Sequence, residues 1–148
     1  MGKYDRKSNR VGEPKIGEEA ALVEFRKILD NFEAGIRETA DEEAKKESEE
    51  QFDEIVLAIR WGEIEVEEDA QGFKVIQRLS NGQSLKYREP TPADAKALGR
   101  IPENKNTDAL YALAGRLCGL GDDAIRSLKG QDKDNALRLS VVFMTACS

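Results

Sequence analysis

Residues Phe73 to Asp94, FKVIQRLSNGQSLKYREPTPAD, decide how this 148-residue chain folds. Two runs suited to strands, Phe73 to Leu79 and Ser84 to Tyr87, flank Ser80-Asn81-Gly82-Gln83, and Asn-Gly between apolar alternations is the strongest short-range hairpin signal. A two-residue Asn81-Gly82 turn would pair Arg78 with Leu85 and Ile76 with Tyr87, leaving Phe73, Val75 and Leu79 on the opposite face. A three-residue loop, Ser80-Asn81-Gly82 with Gly82 left-handed, instead pairs Gln77 with Leu85 and Val75 with Tyr87. That register gathers Phe73, Val75, Leu79, Leu85 and Tyr87 on one side. Because a one-residue slip flips every side chain, burial selects this second register.

Beyond the hairpin, Pro90 lacks an N–H and ends strand pairing. Thr91-Pro92-Ala93-Asp94 then supplies an N-cap, a proline at the first helical position and a carboxylate three residues after the cap. A helix is expected from Pro92. Asp94 stands where the usual capping box has Glu or Gln, so the sequence leaves the reciprocal bond open.

On the N-terminal side, Glu63-Ile64-Glu65-Val66-Glu67 alternates as a short strand with one acidic face. Asp69-Ala70-Gln71-Gly72 makes the turn into Phe73, and a three-stranded antiparallel meander from Glu63 to Arg88 results. The acidic run lacks the alternate oxygens, sixth-position glycine and twelfth-position glutamate of a calcium loop, as does Gln131-Asp132-Lys133-Asp134-Asn135. Protection of an edge strand by charge accounts for Glu63, Glu65 and Glu67.

Further upstream, residues 1–17 are polar and broken by Gly12, Pro14 and Gly17, the composition of a mobile leader. From Glu18, Leu22, Phe25, Leu29, Phe32 and Ile36 recur at steps of three and four, with Val23 and Ile28 widening the stripe, which predicts an amphipathic helix. Thr39-Ala40-Asp41-Glu42 has capping-box spacing and opens a second helix running to Trp61, with Phe52, Ile55, Val56 and Ile59 as its apolar face. Residues 18–62 thus read as two antiparallel helices closing on each other, or as one long helix. Residues 63–148 carry the meander and more helices, expected to form one domain with 18–62.

The C-terminal third is helical and punctuated. Pro92 to Leu98 forms a short helix closed by Gly99, Ile101 to Asn106 a loop, and Thr107 caps a helix with Leu110, Leu113, Ala114, Leu117 and Cys118 on one face. Gly119 and Gly121 end it, Asp122 to Leu128 is a helical turn or two, and Gly130 stops that. Asp132 is expected to cap the last helix, whose Ala136, Leu137, Leu139, Val141, Val142, Phe143 and Met144 form an apolar arc wider than one core contact needs. Burial at the domain centre explains such breadth. A partner surface explains it too, and Leu139, Val142, Phe143 and Met144 are the candidate partner-binding residues.

The fold class is therefore α+β and mostly helical. Charged residues make up 35% of the chain against 39% hydrophobic, with a net charge of -6, a balance that folds but repels phosphate backbones and anionic lipid. Neither nucleic acid nor membrane is an expected partner. Cys118 and Cys147 lack CxxC spacing and read as small buried hydrophobes of a reducing compartment. With no apolar leader core and no stretch of transmembrane length, the expected location is cytoplasmic. The chain has no histidine, which removes the commonest general base and metal ligand. It also lacks a glycine-rich phosphate loop and a nucleophile motif. No catalytic residue, cofactor or metal is expected.

The order of features from Phe73 to Cys147 resembles the small tail assembly chaperones of long-tailed phages. The resemblance is carried by the hairpin ending in Tyr87-Arg88-Glu89-Pro90-Thr91-Pro92-Ala93-Asp94 and the helix ending in Leu117-Cys118-Gly119-Leu120. Ile125 and Leu128 ahead of Asp132 and a terminal amphipathic helix complete it. It implies a non-enzymatic phage or prophage protein of the bacterial cytoplasm that holds the helix-rich tape-measure protein soluble and recruits tail-tube subunits. Residues 18–62 lie outside the resemblance and suit pairing between chains, a possible homo-oligomer through the N-terminal helices. The alternatives are a structural tail or neck component, or an unrelated cytoplasmic helical protein-interaction module.

Overall fold

The computed structural model describes residues 12–32, 42–70, 72–101 and 106–146. Along these the elements are α1 (Glu18–Phe32), α2 (Glu42–Arg60), β1 (Ile64–Asp69), β2 (Gly72–Arg78), β3 (Ser84–Tyr87), α3 (Pro92–Leu98), α4 (Asn106–Cys118), α5 (Asp122–Arg126) and α6 (Gly130–Ala146). The class is α+β and mostly helical, with one three-stranded antiparallel sheet in the order β1-β2-β3.

The hairpin takes the register that burial demands. Val75 pairs with Tyr87 and Gln77 with Leu85, Gly82 sits at φ +90°, and the Leu79 N–H closes the loop on the Gln83 carbonyl at 2.8 Å. Ile64, Phe73, Val75, Leu85 and Tyr87 consequently fill the inner face. Gln77 lies on that face as well and is fully buried. On the outer face Ile76 pairs with Glu65 on one side and Lys86 on the other. Ion pairs Arg78–Glu65 (2.8 Å), Lys86–Glu67 (3.8 Å) and Lys74–Asp69 (3.9 Å) surround it. Such exposed pairs contribute little energy each, but their stems shield the isoleucine.

The two N-terminal helices run antiparallel. The backbone N–H groups of Lys15 and Ile16 both donate to the Arg60 carbonyl, at 2.7 and 3.3 Å, so the start of α1 lies at the end of α2. Midway, the Phe25 and Phe52 rings meet edge-on at 5.0 Å. Ala21, Phe25, Ile28 and Phe32 are the buried side chains of α1, whereas Leu22 and Val23 remain 41% and 53% exposed. Phe25, Ile28 and Phe32 of the expected stripe are thus buried and Leu29 packs against the core, whereas Leu22 and Val23 turn outward and Ala21 takes the inner place. Phe32 is the cause: its contacts with Phe73 (5.8 Å) and Phe143 (5.0 Å) fix the rotation of α1, and at roughly 100° per residue Leu22 turns off that face. Ile36 and the Thr39-Ala40-Asp41 portion of the expected capping box lie outside the described residues. Gly62, at φ +77°, releases the chain from α2 into β1.

In the C-terminal half α4 lies against β3, α5 and α6, and α6 also reaches α1, α2 and β2. Phe143 of α6 holds the centre, fully buried with ring centroids 5.0 Å from Phe32 and 5.3 Å from Tyr87. At the end of α4 the chain turns so tightly that a Cβ on Gly115 would lie 2.3 Å from the Gly121 carbonyl carbon. Cys118 is half-buried against the core, while Cys147 lies outside the described residues, as do 102–105 of the expected loop. Two expected caps differ. Thr107 falls inside α4, and Asp132 falls inside α6 with its carboxylate turned to the hairpin loop, where it accepts from the Ser80 N–H and Oγ.

Candidate functional site

Among the described residues, two buried polar constellations and a surface depression along α6 bring together the residues that the sequence singled out. The first centres on Asp94, whose side chain has no exposed surface. Arg88 grips it with both terminal nitrogens (Nη1–Oδ2 2.7 Å, Nη2–Oδ1 3.0 Å), and Arg116 Nε donates to Oδ1 at 2.9 Å. The Thr91 N–H donates to Oδ2 at 2.7 Å, closing the capping box that the sequence left open. These donors come from the end of β3, the start of α3 and the end of α4. Arg88 foremost, with Thr91 and Arg116, holds the Asp94 carboxyl well below the usual carboxylate range. A carboxylate so saturated with donors neither accepts a proton near neutrality nor attacks a substrate; the cluster ties three elements together.

The second constellation lies beneath the sheet. Tyr87 donates its hydroxyl to Gln77 Oε1 at 2.7 Å, and Gln77 Nε2 donates to the Asp132 carbonyl at 2.8 Å. Burial pushes the Tyr87 phenol far above its ordinary value, so it stays protonated and keeps its donation to Gln77. Asn135 continues the chain, donating to Glu63 Oε1 at 2.9 Å and accepting from Gln131. Among the described residues no group of three or more His, Cys, Asp or Glu side chains is placed to hold a metal ion.

The partner-binding candidates divide on burial. Leu139, Val142 and Phe143 are fully buried, so in this fold they form the core and present no surface. Met144 is half-buried and packs against that core. The opposite face of α6 is the one left open. A depression of about 260 Å³ lies between α2, α4 and α6, lined by Gln51, Leu110, Asp134, Leu137, Arg138 and Val141. Leu137 and Val141 stand one turn apart, half a helix turn around from Leu139 and Phe143, and Met144 continues their row. Ser140 Oγ donates to the Leu110 carbonyl at 2.7 Å and pins α6 to α4 beside the depression. On the other wall Arg138 reaches the buried Glu54 at 3.7 Å.

The sequence contained a signal for this division. Leu137, Val141 and Met144 follow i, i+4, i+7 on one side and Leu139, Val142 and Phe143 follow i, i+3, i+4 on the other, so the wide arc is two stripes. Leu110 and Gln51 had no such signal, because they reach the site only through tertiary packing. Comparison with protein-family models, curated proteins and solved structures finds no match to this chain.

Proposed function

We propose that this protein is a non-enzymatic tail assembly chaperone of a phage or prophage, acting in the bacterial cytoplasm on the tape-measure protein and on tail-tube subunits. The observation that carries the reading is the second apolar stripe of α6, Leu137 and Val141 beside Leu110, recessed between polar walls. A recess of that form takes the apolar row of an amphipathic helix, and a tape-measure protein is a long run of such helices. The motifs that resemble the family support the same reading. Among the residues of those motifs, Arg88, Thr91 and Asp94 join β3, α3 and α4, and Tyr87 joins β3 through Gln77 to α6. No described helix is long and apolar enough to cross a membrane.

Co-expression provides the test. The wild-type chain is expected to keep soluble the long helix-rich protein encoded downstream of its gene, and to co-purify with it. Leu137→Asp combined with Val141→Asp should leave this chain folded but return the tape-measure protein to the insoluble fraction. Absence of such a reading frame, or solubility indifferent to both substitutions, counts against the proposal.

A further inference from the structure

Leu22 and Val23 stand on the outer face of α1, 41% and 53% exposed, and are two of the three large apolar side chains that the described residues leave open. A lone apolar residue on a surface is ordinary, whereas these two are adjacent and belong to a row. Glu19, Leu22, Val23, Arg26 and Asp30 are all exposed and follow i, i+3, i+4, i+7, i+11. At roughly 100° per residue they share an arc of about 100°, centred about 140° around the helix from the buried Ala21, Phe25, Ile28 and Phe32. The row therefore points away from the core that those side chains fill. Its charges are symmetric about the apolar pair: Glu19 lies three positions before Leu22, and Arg26 three after Val23. Among the described residues neither Glu19 nor Arg26 is held in an ion pair, and the Lys27–Glu24 pair at 3.2 Å lies to the side of the row.

We propose that α1 pairs antiparallel with α1 of a second copy of this chain, about a two-fold axis that passes between Leu22 and Val23. In a two-fold interface each contact occurs twice: Leu22 packs on Val23 of the other copy, and Glu19 faces its Arg26. Charge selects both the occupant and its direction. A face with an acid at one end and a base at the other is the complement of its own reverse, so a second copy satisfies both ends at once. A parallel pair would instead set Glu19 against Glu19 and Arg26 against Arg26, and like charges across an interface are unfavourable. The stem of Arg26 extends the apolar contact while its guanidinium reaches the facing carboxylate. A row about three turns long buries less than a standard interface of about 1,600 Å². The pair consequently forms at high protein concentration, with a Kd between about 1 µM and 1 mM. α1 does not line the α6 depression, so the two surfaces are tested separately.

Sedimentation velocity of the full chain is the test, and the wild type should pass from monomer to dimer between about 1 µM and 1 mM. Leu22→Ser combined with Val23→Ser, both at exposed positions, should leave the circular dichroism unchanged and weaken dimerisation by roughly tenfold or more. Glu19→Arg and Arg26→Glu each turn two attractive contacts into repulsive ones. Each alone should weaken the dimer by roughly tenfold, and the two together should restore wild-type affinity. The single variants shift net charge in opposite directions, so a general charge effect would strengthen one dimer and weaken the other. Salt should narrow the gap between either single variant and the wild type. The serine pair keeps the test valid if an arginine in the first turn loosens α1. A chain that stays monomeric to about 1 mM would overturn the proposal and leave the face to a different protein. So would a dimer indifferent to the serine pair, single charge variants with opposite effects, or a double variant that fails to restore pairing.

Discussion

Asp94 remains charged without exposed surface because five donated hydrogen bonds replace the water it lost: three from Arg88 and Arg116, and two from the Thr91 N–H and hydroxyl. Its depressed pKa has a definite sign. The unfolded carboxyl titrates near its ordinary value of about 3.9, so the folded protein gains stability above that pH and loses it as pH falls toward the lower folded pKa. Asp94→Asn should reduce the free energy of urea unfolding at pH 7 by about 2–3 kcal/mol, less than a wholly buried pair because both arginines are part-exposed. The deficit relative to wild type should shrink as pH drops below about 4; a deficit constant from pH 7 to pH 3 would show that charge is not its origin. Tyr87→Phe tests the second constellation. It leaves Gln77 Oε1 buried without its 2.7 Å donor, for an expected loss of about 1–3 kcal/mol.

Among the elements, the α4–α5 corner is the most constrained. Exchanging Gly for Ala inside a helix ordinarily gains about 1 kcal/mol of propensity. At Gly115 the new Cβ would meet backbone on the facing turn, 2.3 Å from Gly121 and 2.4 Å from Asp122, and backbone cannot yield as a side chain does. Gly115→Ala should therefore destabilise by about 2 kcal/mol or more, seen as a melting temperature lowered by roughly 4–8 °C. An unchanged or raised melting point would mean the corner is looser than its geometry. Nothing local in Leu113-Ala114-Gly115-Arg116 marks this glycine, and the same holds for the other features the sequence did not reveal. The hairpin register was legible because alternation and loop length agree on one answer for Val75, Gln77, Leu85 and Tyr87. That register also sets Gln77 on the inner face beside Leu85, but what satisfies its amide there, Tyr87 and the Asp132 carbonyl, is known only once α6 is placed beneath the sheet. Arg88 and Arg116 are ordinary surface charges in sequence, 6 and 22 positions from their shared partner Asp94. Periodicity reports which face of an element is apolar; it carries no information on long-range polar pairing, which alone turned Asp132 from its expected cap toward Ser80.

At the scale of the whole molecule the question is whether the N-terminal helical pair and the sheet fold as one unit, and Phe143 answers it. Its ring touches Phe32 of α1 and Tyr87 of β3, so α6 is the bar across which the two halves share a core. Phe143→Ala should cost about 3–5 kcal/mol, while Leu137→Ala, on the open face, should stay within about 1 kcal/mol. The pair of variants separates the core from the open face on a single helix. Two probes then read the coupling. Trp61 stands at the end of α2, with the Arg60 guanidinium 5.5 Å from its ring centroid, and its fluorescence follows the helical pair, whereas far-UV circular dichroism follows the whole chain. If Phe143 joins both halves, the two transitions coincide in the wild type, as for a single cooperative domain, and move together to lower denaturant in Phe143→Ala. A Trp61 transition that separates from the dichroism in that variant would instead mean that the contact between Phe25 and Phe52 and the backbone bonds to Arg60 hold the helical pair together alone. The pair would then be a semi-independent module, and the depression formed by α2, α4 and α6 would open and close with it.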